Sequence, residues 1–276
     1  MNSGNAEVVP FVASEKNVDA WVVSSDLDHV YDDWNISPGI RVNAGLRFGN
    51  FTQVGPFDRY RKDIFGKISD TVHYGAGQAV ANYNGLEPRL SLRYALGATS
   101  SLKASYARNF QYIHLASISS ISLPTDIWMP CTEVIKPQES NQVAFGYFRN
   151  LFDNAWECSV ETYYKTMSNQ VEFAEGAQPA DNIYDNPDNA FTFGRGWSYG
   201  AEFFIKKNRG RFGGWIGYTM SWTWRQFPQI NYGQKFLAKY DRRHDVSYVM
   251  SYNARKAVNI GLVWVYGSGN RGTLPN

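Results

Sequence analysis

Residues Tyr240 to Gly269 read YDRRHDVSYVMSYNARKAVNIGLVWVYGSG. Val246, Tyr248, Met250 and Tyr252 alternate with Asp245, Ser247, Val249 and Ser251. A polar break, Asn253-Ala254-Arg255-Lys256, follows. Alternation then resumes, with Val258, Ile260, Leu262, Trp264 and Tyr266 on one side and Asn259, Gly261, Val263 and Val265 on the other. A period of two is that of a strand, and a polar break between two such runs predicts a hairpin. Each run is roughly nine to eleven residues long, about what a tilted strand needs to cross a bilayer, and its richer face ends in aromatics.

The same unit recurs along the chain. Lys16 to Tyr31 is strand-like, and Asp32-Asp33-Trp34-Asn35 is expected to turn it. Ile40, Val42, Ala44, Leu46 and Phe48 then alternate with Arg41, Asn43, Gly45 and Arg47. Leu90, Leu92, Tyr94 and Leu96 are answered, across the turn Gly97-Ala98-Thr99-Ser100, by Leu102, Ala104 and Tyr106. Val143, Phe145 and Tyr147 lead through Asn150–Asn154 to Trp156, Cys158, Val160, Thr162 and Tyr164. Trp197 to Ile205 returns through Lys207–Gly210 as Ile216 to Trp224. The stretches at about 52–86, 113–138, 176–191 and 228–239 read as loops; Pro124, Pro130 and Pro137 disfavour an interior strand in the second.

About ten strands in about five hairpins result, with tight turns of roughly four or five residues alternating with loops of roughly 12 to 35. Short periplasmic turns and long extracellular loops give that asymmetry in outer-membrane barrels. The apolar positions are largely free of charge, as lipid contact demands, since a Lys or Arg there costs about 2–4 kcal/mol at the midplane. No apolar run approaches the ~18 residues of a membrane helix, and a backbone in lipid must be fully paired, so a barrel is the available spanning solution. The expected fold is therefore all-β: an antiparallel transmembrane β-barrel, partial, occupying residues 1–276 as one domain.

Composition agrees without deciding. Of 276 residues, 16% are aromatic while mean hydropathy is only −0.41; this suits strands with one lipid face and one wet face, and also a soluble β-sandwich. A net charge of +2 makes no electrostatic case for nucleic acid. Cys131 and Cys158 do not make a disulfide framework and read as unpaired small residues. Met1-Asn2-Ser3-Gly4 opens a polar stretch with no apolar signal-peptide region, so an exported chain is expected to lack its true N-terminus here.

Several pieces resemble the C-terminal barrel region of TonB-dependent outer-membrane receptors, in the style common among Bacteroidetes-type chains. They are Tyr240–Asp245 with the following strand, Trp264–Asn270, Trp34–Ser37 leading to Asn43–Arg47, Leu86–Tyr94, and Pro137–Ser140. Together they cover about Lys16 to Asn270. The resemblance implies a barrel of about 22 strands with a plugged lumen, of which about ten are here. The plug domain, the N-terminal energy-coupling segment, the last strands and the terminal aromatic are expected to be missing, which makes the chain a fragment. It implies a Gram-negative outer membrane, contact with outer-membrane lipid, an inner-membrane energy-coupling complex as partner, and a scarce solute (siderophore, cobalamin, oligosaccharide or peptide) as cargo.

The chemistry-bearing residues are few. Asp241, Arg242, Arg243, His244 and Asp245 form a charged cluster at a strand entrance, read as a network pinning a loop to the barrel wall. His29, His73, His114 and His244 lie far apart without metal-ligand spacing, and no cofactor motif is present. The ligand candidates are loop aromatics: Trp128, Tyr184, Phe191 and Tyr232, with Phe57 and Tyr60 beside them.

Three functions compete: an energy-coupled uptake receptor, a soluble all-β carbohydrate-binding module, and an outer-membrane barrel hydrolase using His244. The third is weakened because His244 and Asp245, adjacent on one strand, point to opposite faces. The receptor is preferred, and an enzyme is not expected.

Overall fold

A computed structural model describes residues 7–12, 19–37, 39–63, 65, 67–116, 127–174, 186–255 and 258–269. An edge strand β1 (Glu7–Val12) pairs with β2 (Asp19–Ser37), and β2 pairs with β3 (Ile40–Val54). A separate hairpin, β4 (Phe57–Lys62) and β5 (Ile68–Tyr74), stands between β3 and β6 (Ala79–Ala95). Next comes β7 (Ser100–Gln111), then a second small hairpin, β8 (Ile113–Ala116) and β9 (Ile127–Pro130). The remaining strands are β10 (Gln138–Leu151), β11 (Trp156–Phe173), β12 (Phe191–Lys207), β13 (Phe212–Gln226), the short β14 (Phe236–Leu237), β15 (His244–Arg255) and β16 (Val258–Gly267). The sheet runs β1-β2-β3-β6-β7-β10-β11-β12-β13-β15-β16, antiparallel throughout, with β14 attached to β13. Sequential hairpin neighbours are what a barrel wall requires, and β1 and β16 are its edges among the described residues.

The register carries one face across the wall without a break. Leu90 sits opposite Tyr106, Tyr106 opposite Val143, Val143 opposite Tyr164, Tyr164 opposite Tyr199, and Tyr199 opposite Trp222. One step nearer the tight turns, Leu92, Ala104, Phe145, Thr162, Ala201 and Met220 form a parallel row. Side chains of this face stand open: Leu92 is 41% exposed, Phe145 53% and, on β16 opposite Met250, Leu262 47%. A period-two strand puts the intervening residues on the other face. There Arg47 pairs with Glu87 at 3.4 Å, Arg89 reaches Asn109 at 3.3 Å, and Lys206 stands 4.0 Å from Glu157. One face is continuously apolar and the other carries the charges; a barrel wall turns the first outward to lipid and the second toward the lumen.

The outward pattern ends where β3 and β6 leave the apolar band. Phe48 faces Leu86, but the next two outward pairs are Asn50 with Asn84 and Thr52 with Asn82, bonded side chain to side chain. Backbone pairing continues past this point while apolar character stops. The strands therefore run well beyond the stretches whose alternation marks them, and the segment read as a loop at 52–86 holds β4, β5 and the first half of β6. The 113–138 loop likewise holds β8 and β9. The turn expected at Asp32–Asn35 is also displaced: Asp33 pairs with Asn43 and Trp34 with Val42 inside β2, and irregularities at His29/Asp32 and Asn35/Ser37 absorb the extra residues.

At the long-loop end a crown has its own small cores. Met129, Ile135 and Phe191 are buried together against Val171, Phe173 and Phe193. Phe51 and Cys131 are buried with Tyr83, Tyr112 and Ile113, the Phe51 and Tyr112 rings stacking at 5.2 Å. Phe227 is fully buried, and its ring fills the space where a Cβ on Gly194 would stand. Hydrogen bonds stitch the loops to one another. The Asn186 side chain accepts from Tyr60 N–H at 2.7 Å and donates to the Asp58 carbonyl at 2.8 Å, imitating a strand partner for β4. Tyr83 donates to the Thr132 carbonyl and Tyr74 to Glu133, each at 2.6 Å.

Candidate functional site

The polar face of the wall and the crown meet in a cavity of about 260 Å³. Four wall strands supply its polar lining: Gln111 from β7, Gln138 from β10, Glu172 from β11 and Arg225 from β13. Lys239 and Tyr240 come from the segment between β14 and β15. Glu172 stands at the centre. Its Oε2 accepts from Arg225 at 2.9 Å and its Oε1 faces Lys239 Nζ at 3.5 Å. One carboxylate between two cations leaves a net positive wall, suited to a ligand rich in anionic or neutral oxygen. Arg225 Nε is buried without a hydrogen-bond partner among the described residues.

A register shift in β11 places Glu172. Between Met167 and Gln170 one extra residue is inserted, with Asn169 in the left-handed region at φ 54°. Asn tolerates that conformation better than other residues with a Cβ, and its side chain is fixed by donating to the Pro137 carbonyl at 2.9 Å. Beyond the shift Gln170 donates to Gln138 at 2.8 Å, so β10 and β11 stay joined at the cavity floor.

The candidate ligand residues do not gather at this cavity. Trp128 is half exposed on β9, and Tyr232 is 99% exposed on a turn with φ 53°. Phe191 is buried in a crown core, where its ring meets Phe173 at 4.7 Å and has no open face for a ligand. None of the three lines the cavity. Tyr184 lies outside the described residues.

The 241–245 cluster sits where β13 changes partner. Asp241 is buried; its Oδ1 accepts from Thr223 N–H at 2.8 Å and its Oδ2 from Arg243 at 3.2 Å. Ser221 donates to the Arg242 carbonyl at 2.9 Å. His244 pairs in register with Met220 on the outward face, its Nδ1 2.8 Å from the Tyr218 hydroxyl, while Asp245 opposes Thr219 on the inner face. The Asp241 carboxylate thus stands in for the strand that β13 has lost at Thr223.

One buried polar pair had no signal in residue spacing. His114 Nε2 lies 3.3 Å from the Cys131 sulfur inside the crown. Burial pushes the His114 pKa down to about 4 and the Cys131 thiol up, so both groups are neutral.

The family model described as TonB dependent receptor-like, beta-barrel matches residues 10–273. The chain belongs to this family of TonB-dependent receptor β-barrels. Among solved structures it resembles the ferripyoverdine receptor of the outer membrane of Pseudomonas aeruginosa, with a TM-score of 0.56 and 13% identity over 92% of this chain and 32% of that one. The alcaligin outer-membrane receptor of Bordetella pertussis gives 0.56 and 13% over 91% and 38%. The ferric-catecholate import receptor of E. coli K12 gives 0.52 and 16% over 88% and 33%. The chain thus spans about a third of the length of these structures, and at this identity the likeness is one of fold. No curated protein sequence matches the chain.

Proposed function

We propose that this chain is part of the wall of an outer-membrane uptake receptor, and that the Glu172–Arg225–Lys239 cavity contacts the solute. One observation carries the reading: an unbroken outward apolar face backs a charged inner face that opens, at the long-loop end, into a cavity with excess positive charge. A lipid-facing wall demands the first feature, and capture of an oxygen-rich solute from outside uses the second. The neighbours whose names mention iron chelates make a ferric chelate the first solute class to test. The energy for release into the periplasm comes, on this reading, from an inner-membrane coupling complex.

The experiment uses the receptor expressed from its complete gene. Ferripyoverdine, ferric alcaligin and a ferric catecholate are titrated against it, with quenching of its tryptophan fluorescence as readout. One of them is expected to bind, and Arg225→Gln is expected to weaken that binding about tenfold, the loss of a charged hydrogen bond. Failure of all three to bind would sink the chelate assignment; full affinity in a folded Arg225→Gln receptor would sink the cavity.

A further inference from the structure

Beyond the outward aromatic row the same face turns cationic. Arg195 stands two residues before Trp197 on β12, on the outward side, with Gln226 as its register partner. Lys235 stands two residues before Leu237, which pairs with Trp224, and its Nζ lies 4.6 Å over the Trp197 ring. Arg243 Cζ lies 4.4 Å over the Trp222 ring. Arg195 and Lys235 are exposed. Neither makes an ion pair among the described residues, while the acidic residues near them are engaged: Glu139 by Arg108 at 3.1 Å and Asp241 by Arg243 at 3.2 Å.

This placement is unlike that of the cations on the inner face. Arg47 and Lys206 face the interior and sit near carboxylates. Arg195 and Lys235 crown an uncharged outward run, Trp197, Tyr199, Ala201, Phe203 and Ile205, which Lys207 closes at the opposite end. On a strand crossing a bilayer, the end of such a run lies at headgroup depth, where tryptophans settle and long cationic side chains reach for phosphate.

We propose that Arg195 and Lys235, set beside Trp197 and Trp224, bind the phosphate groups of a lipid in the adjoining leaflet. The acyl chains of that lipid lie along Tyr199, Phe203 and Ile205. Guanidinium groups grip phosphate oxygens in pairs and the ammonium adds a point charge, so a phosphorylated headgroup is favoured over a zwitterionic one. The proposal rests on the reading that the outward face meets lipid.

The test reconstitutes the receptor from its complete gene in phosphatidylcholine nanodiscs containing either lipid A or the same lipid stripped of its phosphates, and counts retained lipid by native mass spectrometry. Wild type is expected to retain lipid A over the dephosphorylated form. The Arg195→Gln, Lys235→Gln double variant is expected to lose about tenfold or more of that retention, in line with the worth of two surface cations near anionic lipid. Equal retention of both lipids by wild type, or undiminished lipid A on a folded double variant, would overturn it. Heat-dependent mobility on gels reports barrel folding separately: its absence from wild type would sink the membrane reading instead.

Discussion

In the wall, Leu92, Phe145 and Leu262 are 41%, 53% and 47% exposed; in the crown, Phe51, Ile135 and Phe227 are 1%, 0% and 0% exposed. The wall keeps its apolar side chains outside and its charges inside. The crown does the reverse, packing rings into small cores and tying loops together through Asn186, Tyr74 and Tyr83. The difference is one of solvent. Outward side chains of the wall are stabilised by lipid, so their burial is supplied by the membrane. Above the bilayer the chain must exclude water by itself, as a soluble domain does.

Paired substitutions test whether wall and crown answer to different solvents. Phe227→Ala removes a fully buried ring and should cost about 3–5 kcal/mol, confined to the crown. Leu92→Arg leaves every crown contact in place and should cost about 2–4 kcal/mol, because it drives a charge into lipid. Limited proteolysis of vesicle-embedded receptor separates them. The first variant should be cut in the loops while the wall stays protected, and the second should lower the fraction that inserts at all. Identical cleavage patterns would show that wall and crown are one cooperative unit under one solvent rule.

A smaller effect sharpens the same contrast through pH. His114 is held neutral in the folded crown with its pKa lowered to about 4, against about 6.5 when unfolded. Between those values the unfolded crown binds more protons than the folded one, so stability is fully present above the upper value and falls as pH drops toward the lower. The slope is on the order of 1 kcal/mol per pH unit, and below about 4 this contribution stops changing. Hydrogen-exchange protection factors, which divide out the slowing of intrinsic amide exchange in acid, should therefore fall around β8 and β9 as pH drops from 7 to 4, while those of β7 and β10 stay unchanged at mid-wall. His114→Gln should flatten that dependence.

The same division of solvents explains what the sequence reveals. Val258–Tyr266, Leu90–Leu96 and Trp197–Ile205 are legible because lipid enforces apolar residues at alternate positions. At Asn50, Thr52, Asn82 and Asn84 the strands are equally well paired, but water replaces lipid and the alternation vanishes. The upper halves of β3 and β6 and the hairpins β4–β5 and β8–β9 are silent for this reason. The cavity is silent for another: Gln111, Gln138, Glu172 and Arg225 come from four strands and share no spacing. The loop aromatics Trp128, Phe191 and Tyr232 stand out by residue type, yet Phe191 is spent on packing. Glu172 and Arg225 lie near strand ends, beyond the outward apolar runs of β11 and β13, where no alternation marks them.

The most direct measurement places a spin label at each position from Arg89 to Tyr94 of the receptor in lipid vesicles and compares collision with oxygen, which concentrates in lipid, against a water-soluble nickel chelate. Oxygen should dominate at 90, 92 and 94 and the chelate at 89, 91 and 93. A flat profile along these six positions, or the chelate dominating at 90 and 92, would contradict a wall that turns one face to the membrane.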